Sequence, residues 1–239
     1  IIAAADVTLY RAKRNGGNQS LCASGPLGEI PAEEPVADND DAVNNKMNSF
    51  VRVFSEMIDA RSCYTGNHSK KVKDYALALA NNLKLDKEAV SKLEMCALLH
   101  DAGKIGIDKD ILCKQNELTQ EETVIFKTHP QLGANIVKQI PQLAGCADAI
   151  LHHHEWFDGS GYPDGLKGNA IPLESRIISI AEAFVTMISE RSYSRTKSLD
   201  EAVNELRRYS GVQFDPALVE QFISVFVKTK DITAIKPRR

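Results

Sequence analysis

The stretch "KEAVSKLEMCALLHDAGK", residues 87–104, decides how the rest of this chain is read. Leu93, Ala97 and His100 recur at helical spacing, so one apolar helix face ends in an imidazole that points toward a core. Asp101 follows directly and gives an inward His-Asp pair, while Gly103 reads as the helix terminator. The same period runs through residues 50–60, 68–83, 119–140, 143–156, 172–190, 198–210 and 215–227, and none of these stretches alternates as a strand does. The predicted fold class is all-α.

The six histidines then need a reason, because all of them lie between residues 68 and 154. His68 shares a helical stripe with Val72, Tyr75 and Leu79, and so faces inward with His100. In "LAGCADAILHHHEW" (residues 143–156), Cys146, Ala149, Ile150 and His153 form one stripe. Ala147, Ile150, Leu151 and His154 form its neighbour, and His152 lies off both. His68 or His129 alone would read as a hydrogen-bonded core residue. Several converging imidazoles are costly to bury without partners, and divalent metals take neutral imidazole and carboxylate together, so a metal site explains the set better. Glu182 supports it, since it shares a face with Ile178, Ala181 and Val185 where an unpaired carboxylate is disfavoured. A protonated or salt-bridged buried Glu182 is the alternative.

A length of 239 residues suffices for one sizeable core. The net charge of -3 gives no basic excess to neutralise phosphates, so no DNA or RNA partner is expected and any phosphate recognition must be local. No apolar run reaches the length of a membrane span and "IIAAAD" lacks a charged leader, which makes the cytoplasm the expected location. The five cysteines are scattered without a CxxC pair and read as reduced thiols. Residues 1–19 are helical in pattern up to Gly16 and Gly17 and look like the end of something longer. Residues 20–45 have the Pro, Gly, Ser and acidic content of a flexible linker, and the main domain is expected over 46–235.

Five motifs, "LLHDAGKIGI" (98–107), "KTHPQLGANIV" (127–137), "HHEWFDGSGYPDGLKG" (153–168), "IPLESRIISIAEAF" (171–184) and "GVQFDPALVEQF" (211–222), together resemble the HD-GYP domain, a branch of the HD phosphohydrolases. The resemblance covers residues 46 to 228. "ADVTLYRAKRNGGN" (5–18) also resembles the tail of a GGDEF diguanylate cyclase domain, with Gly17 where that tail usually has Arg. The cyclase signature loop is not in this sequence.

The resemblance implies an HD-type helical bundle with divalent metal ions, commonly iron or manganese, in its core, hydrolysing cyclic di-GMP or a related cyclic dinucleotide. It makes His68, His100, Asp101, His129, His153, His154 and Glu182 the metal ligands, with Asp101 bridging. It places Lys104 beside the scissile phosphate, although an ordinary exposed lysine near a helix C-terminus is the alternative reading. Gly161, Tyr162 and Pro163 line the substrate site, and Arg191 is a basic substrate contact. Four positions depart from the family pattern. Tyr64 stands where a Glu ligates a third metal, which leaves two ions; Glu182 replaces the usual Asp, Val185 replaces Asp or Lys, and Ser194 replaces a cation. A cyclic dinucleotide phosphodiesterase is therefore the leading expectation, with a catalytically weak receptor or a GGDEF-interaction module as the alternative. An HD phosphohydrolase of ordinary nucleotides is a third reading, against which the intact Gly161-Tyr162-Pro163 loop argues. A homodimer is also anticipated for a piece of a multidomain signalling protein.

Overall fold

The computed structural model describes residues 40–62, 67–189 and 196–228. The GGDEF-like tail and residues 20–39 of the linker lie outside the described residues, as do Tyr64, Arg191 and Ser194. The compact unit begins at Asn44. Its helices are α1 (Asp40–Arg61), α2 (His68–Asn82), α3 (Lys87–Leu99), α4 (Lys109–Leu112), α5 (Gln120–Phe126), α6 (His129–Lys138), α7 (Ala147–Leu151), α8 (Leu173–Ile188), α9 (Leu199–Arg208) and α10 (Pro216–Lys228). Among the described residues the one β pairing is an isolated bridge between Ser210 and Phe214, so the fold is all-α as the periodicity requires.

The core is the meeting of α2, α3, α8 and α10. Val72, Ala76 and Leu79 of α2 are buried with Leu93 and Ala97 of α3, Ile177, Ile178 and Ala181 of α8, and Val219 and Phe222 of α10. The residues repeat at three and four positions because only that stripe of each helix faces its neighbours. Tyr75, Phe184 and Phe222 join the layers edge to face, with Phe184 centred 5.0 Å from Tyr75 and 5.2 Å from Phe222.

Polar latches hold the helix ends that carry the functional groups. Asn67, which precedes α2, has a left-handed φ of 62° and caps nothing with its side chain. Asp59 of α1 takes over that role, accepting the Ser69 backbone N–H at 3.0 Å and the Ser69 hydroxyl at 2.6 Å. At the other end Asp215 accepts from Ala217 N–H at 2.9 Å at the start of α10, and Arg176 of α8 donates to it at 2.7 Å. Both side chains of that ion pair are largely buried. Asp215→Ala therefore strips a cap and leaves a buried guanidinium short of its carboxylate, and should lower unfolding free energy by about 3 kcal/mol in a urea titration.

Four local expectations are corrected. Helix α1 starts at Asp40, so residues 40–45 assigned to the linker are helical; once a helix is nucleated, extra residues join it without needing an apolar stripe. The stretch 119–140 is two helices rather than one. Pro130 lacks the N–H that a continuous helix needs, and it sits instead in the first turn of α6. Helix α7 stops at Leu151, so His152, His153 and His154 lie in the turn that follows it and not on helical stripes. Cys113 is disulfide-bonded, whereas Cys96 and Cys146 are free and buried; the spacing of thiols in sequence does not tell which ones the fold brings together.

Candidate metal centre

Five chain segments deliver the candidate ligands, all but Glu182 at or near an element end. His68 opens α2, His100 caps the C-terminus of α3, His129 opens α6, His153 and His154 follow α7, and Glu182 projects from the middle of α8. A helix end places a side chain beside the neighbouring elements without covering it by its own next turn. His100, His129 and His153 are completely inaccessible to solvent, and Asp101 is 1% exposed.

The ring orientations are set by main-chain carbonyls. His100 Nδ1 lies 2.8 Å from Ala97 O, His129 Nδ1 2.8 Å from Phe126 O and His153 Nδ1 2.6 Å from Ile150 O. A carbonyl only accepts, so each Nδ1 carries the proton and each Nε2 is left to face the pocket. His129 and His153 bring their Nε2 atoms to 3.4 Å of one another.

Ligand atoms gather in two groups, each with its atoms within 4.8 Å of one another: His129, His153 and His154 in one, and His68, His100, Asp101 and Glu182 in the other. Asp101 joins the groups, with Oδ2 3.3 Å from His100 Nε2 and Oδ1 3.5 Å from His129 Nε2. Neither His100 Nε2 nor Asp101 Oδ1 makes a hydrogen bond, although both are buried. Such atoms cost free energy unless something fills the space between them, and divalent cations fit this imidazole and carboxylate donor set.

The electrostatics of His129, His153 and His154 agree with that fit. Burial, reinforced by neighbouring histidines, holds His153 and His154 well below the ordinary imidazole range. Burial also pushes His129 down to about 4 against the pull of Asp101. Three neutral imidazoles are the form a metal takes. At His100 burial opposes charge, but the Asp101 carboxylate more than offsets it and raises the group to about 9. Asp101 itself is held well below the carboxylate range, because Lys104, His100 and His129 together outweigh its burial.

Lys104 is not the exposed lysine of the alternative reading. It is 2% exposed and its ammonium sits 2.6 Å from Asp101 Oδ2. Gly103 is likewise not a helix terminator, since α3 ends at Leu99 and Gly103 belongs to the 3-10 turn Ala102–Gly106. A Cβ there would stand 1.9 Å from His129 O and 2.5 Å from Gly133 N. The missing side chain lets the His-Asp turn press onto the first turns of α6, which is what sets Asp101 beside His129.

The Gly-Tyr-Pro loop closes one side. Tyr162 donates its backbone N–H to His154 O at 3.1 Å and lays its ring on the His154 imidazole, with centroids 5.0 Å apart and planes 22° from parallel. The Tyr162–Pro163 peptide is cis. At Gly161 a Cβ would fall 2.2 Å from Trp156 N, so only glycine permits this close return of the loop. Beside the ligands a cavity of about 400 Å³ is lined by His154, Glu182, Lys197, Glu205, Tyr209 and Gln213. Lys197, Glu205 and Tyr209 carry no motif of their own, and Gln213 lies in the "GVQFDPALVEQF" motif without a role legible from sequence. His152 does not join the other histidines. It turns to Asp164 instead.

The HD domain family matches residues 52–218. This chain belongs to the HD domain family. Among relatives of this HD domain, a cyclic di-GMP phosphodiesterase of Thermotoga maritima is 35% identical over 184 residues, 76% of this chain and 50% of that protein. The cyclic di-GMP phosphodiesterase response regulator RpfG of Xanthomonas campestris pv. campestris is 38% identical over 172 residues, 71% of this chain and 46% of that protein. The chain thus spans about half the length of these relatives. In fold, the HD domain resembles a cyclic GMP-AMP specific phosphodiesterase of V. cholerae, with a TM-score of 0.58, 23% identity and coverage of 75% of this chain and 49% of that one. It also resembles the HD domain of the L. monocytogenes phosphodiesterase PgpH in complex with cyclic di-AMP, with a TM-score of 0.54, 17% identity and coverage of 79% and 99%. No described helix is long and apolar enough to cross a membrane.

Proposed function

We propose that this HD domain is of the HD-GYP type and hydrolyses cyclic di-GMP, or a closely related cyclic dinucleotide, to the linear dinucleotide pGpG. The observation that carries the reading is the pair of ligand groups joined through the two oxygens of Asp101. His68, His100 and Glu182 with Asp101 would hold one divalent ion, and His129, His153 and His154 with Asp101 would hold a second. Iron or manganese suits this mixture of imidazole and carboxylate. Divalent ions bound there would supply Lewis-acid chemistry for a phosphodiester and a water molecule.

The remaining groups bind and orient. A water oxygen forms the new bond to phosphorus and gives up a proton, the bond to the ribose 3′ oxygen breaks, and that oxygen takes up a proton in turn, so no net proton is consumed. Asp101 is kept ionised by the cations around it and so remains a ligand at neutral pH. Lys104 places positive charge next to the reacting phosphoryl group in a site closed to bulk water, where charge stabilisation is worth most. Tyr162, seated on His154 and framed by Gly161 and Pro163, forms a flat wall on which a nucleotide base can lie. The adjoining cavity of about 400 Å³ has the size and mixed lining of a small-molecule pocket. Arg191 is the basic contact that the family likeness adds. The GGDEF-like pattern of residues 5–18 supports a role beside a cyclase domain, where GGDEF proteins are partners and a homodimer is the assembly.

Incubation of chelator-stripped protein with cyclic di-GMP, before and after reloading with iron or manganese, tests this reading. Linear product should form only after reloading. Tight binding without turnover under both metals would replace the enzyme by a receptor. Lys104→Met should lower kcat by about 100-fold, the range lost with one electrostatic donor, while metal content stays at the wild-type level. Steady-state kinetics alongside elemental analysis reads both quantities.

A further inference from the structure

The Gly-Tyr-Pro loop carries a third set of ligand atoms outside the histidine pocket. His152, Glu155 and Asp164 each bring one such atom to within 4.8 Å of the others. His152 Nδ1 lies 2.8 Å from the Asp148 carbonyl, so it donates there and Nε2 is left with a lone pair. That lone pair faces Asp164 Oδ2 at 3.0 Å, and an ionised carboxylate offers only lone pairs in return. Two acceptors in contact call for positive charge.

Glu155 decides what kind of charge. It is 2% exposed, and its Oε1 accepts the Asp164 backbone N–H at 2.7 Å. Its Oε2 is buried and makes no hydrogen bond. A second proton on His152 would satisfy the contact with Asp164 but leave Glu155 Oε2 as it is. A cation shared by the three groups satisfies both at once, and it removes the cost of a buried carboxylate oxygen with no partner.

We propose that His152, Glu155 and Asp164 form a separate metal site that binds one divalent transition-metal ion through an imidazole nitrogen and two carboxylates. A borderline ion such as Zn²⁺ or Co²⁺ suits the donors, and the exposure of Asp164 leaves room for water to complete the coordination. Residues 152 and 164 lie on either side of Tyr162 in the chain. An ion tying them together braces the loop that seats Tyr162 on His154, and so links occupancy of the outer site to the shape of the substrate wall.

The test uses the full chain, stripped with chelator and titrated with Zn²⁺ by calorimetry and elemental analysis. His152→Gln and Asp164→Asn should each bind one ion fewer than the wild type. The Asp164 side chain is exposed and that of His152 is largely buried, so circular dichroism checks that the fold is kept. Hydrogen exchange over residues 159–166 should slow on adding Zn²⁺ to the wild type and not change in either variant. The difference of one ion is expected whether or not the histidine pocket takes up metal, so failure of the phosphodiesterase reading and failure of this one are told apart. Equal stoichiometry in wild type and both variants, with no slowing of exchange, overturns the site and leaves a plain His152–Asp164 ion pair.

Discussion

Asp101→Ala should abolish measurable hydrolysis of cyclic di-GMP, lowering turnover by at least about 1000-fold, equivalent to about 4 kcal/mol of transition-state stabilisation. Asp101 links the two ligand groups, with one oxygen 3.3 Å from His100 and the other 3.5 Å from His129. Its loss therefore disturbs both ligand groups together, whereas loss of one histidine leaves one group complete. The same carboxylate compensates the charge on Lys104, whose ammonium is 2.6 Å away, and keeps His100 raised to about 9. Asp101→Asn separates charge from volume: it fills the same space, and should also lose metal and activity if the ionised carboxylate is what matters. Elemental analysis beside the hydrolysis assay reads both effects. Turnover by Asp101→Asn at the wild-type rate would remove the metal centre from the mechanism.

Gly103→Ala should cost at least about 3 kcal/mol of stability and empty the metal centre, an unusually large effect for one methyl group. The added Cβ would meet His129 O at 1.9 Å and Gly133 N at 2.5 Å, and these are main-chain atoms that cannot rotate away. Gly133 is itself hemmed in, since a Cβ there would stand 3.0 Å from both Gly103 N and Ile150 Cγ2. Relief requires the turn Ala102–Gly106 and α6 to separate, which carries Asp101 away from His129. A chemical-denaturation curve combined with metal analysis checks it. Unchanged stability and full metal content would mean that the close approach of turn and helix is not needed. Gly106→Ala is the control, because its nearest neighbour is the flexible Leu132 side chain at 3.1 Å.

Parts of this site were legible early and parts were not, for reasons that differ residue by residue. His68 and His100 lie on the apolar stripes of α2 and α3, and a stripe read from spacing already says which way a side chain points. The helical stripes read from sequence do not aim His153 and His154, as α7 ends before them; the turn after Leu151 and the carbonyl of Ile150 aim His153 instead. Gly103 reads locally as a helix terminator, but its role depends on a backbone 26 residues further along. Glu155 gives no signal in the sequence, because an acidic residue in a loop looks solvated until the loop folds back and buries it. Lys104 could not be told from a surface lysine by its neighbours in sequence.

The amino-acid sequence by itself determined the helical class, the inward stripes and the supply of ligand chemistry, since periodicity and residue type are properties of short segments. Only the tertiary structure decided that five segments deliver those ligands to one pocket, that Asp101 joins two groups, and that His152 leaves its neighbours for Asp164. Distances between remote segments depend on how helices pack, and packing is settled by the whole core at once.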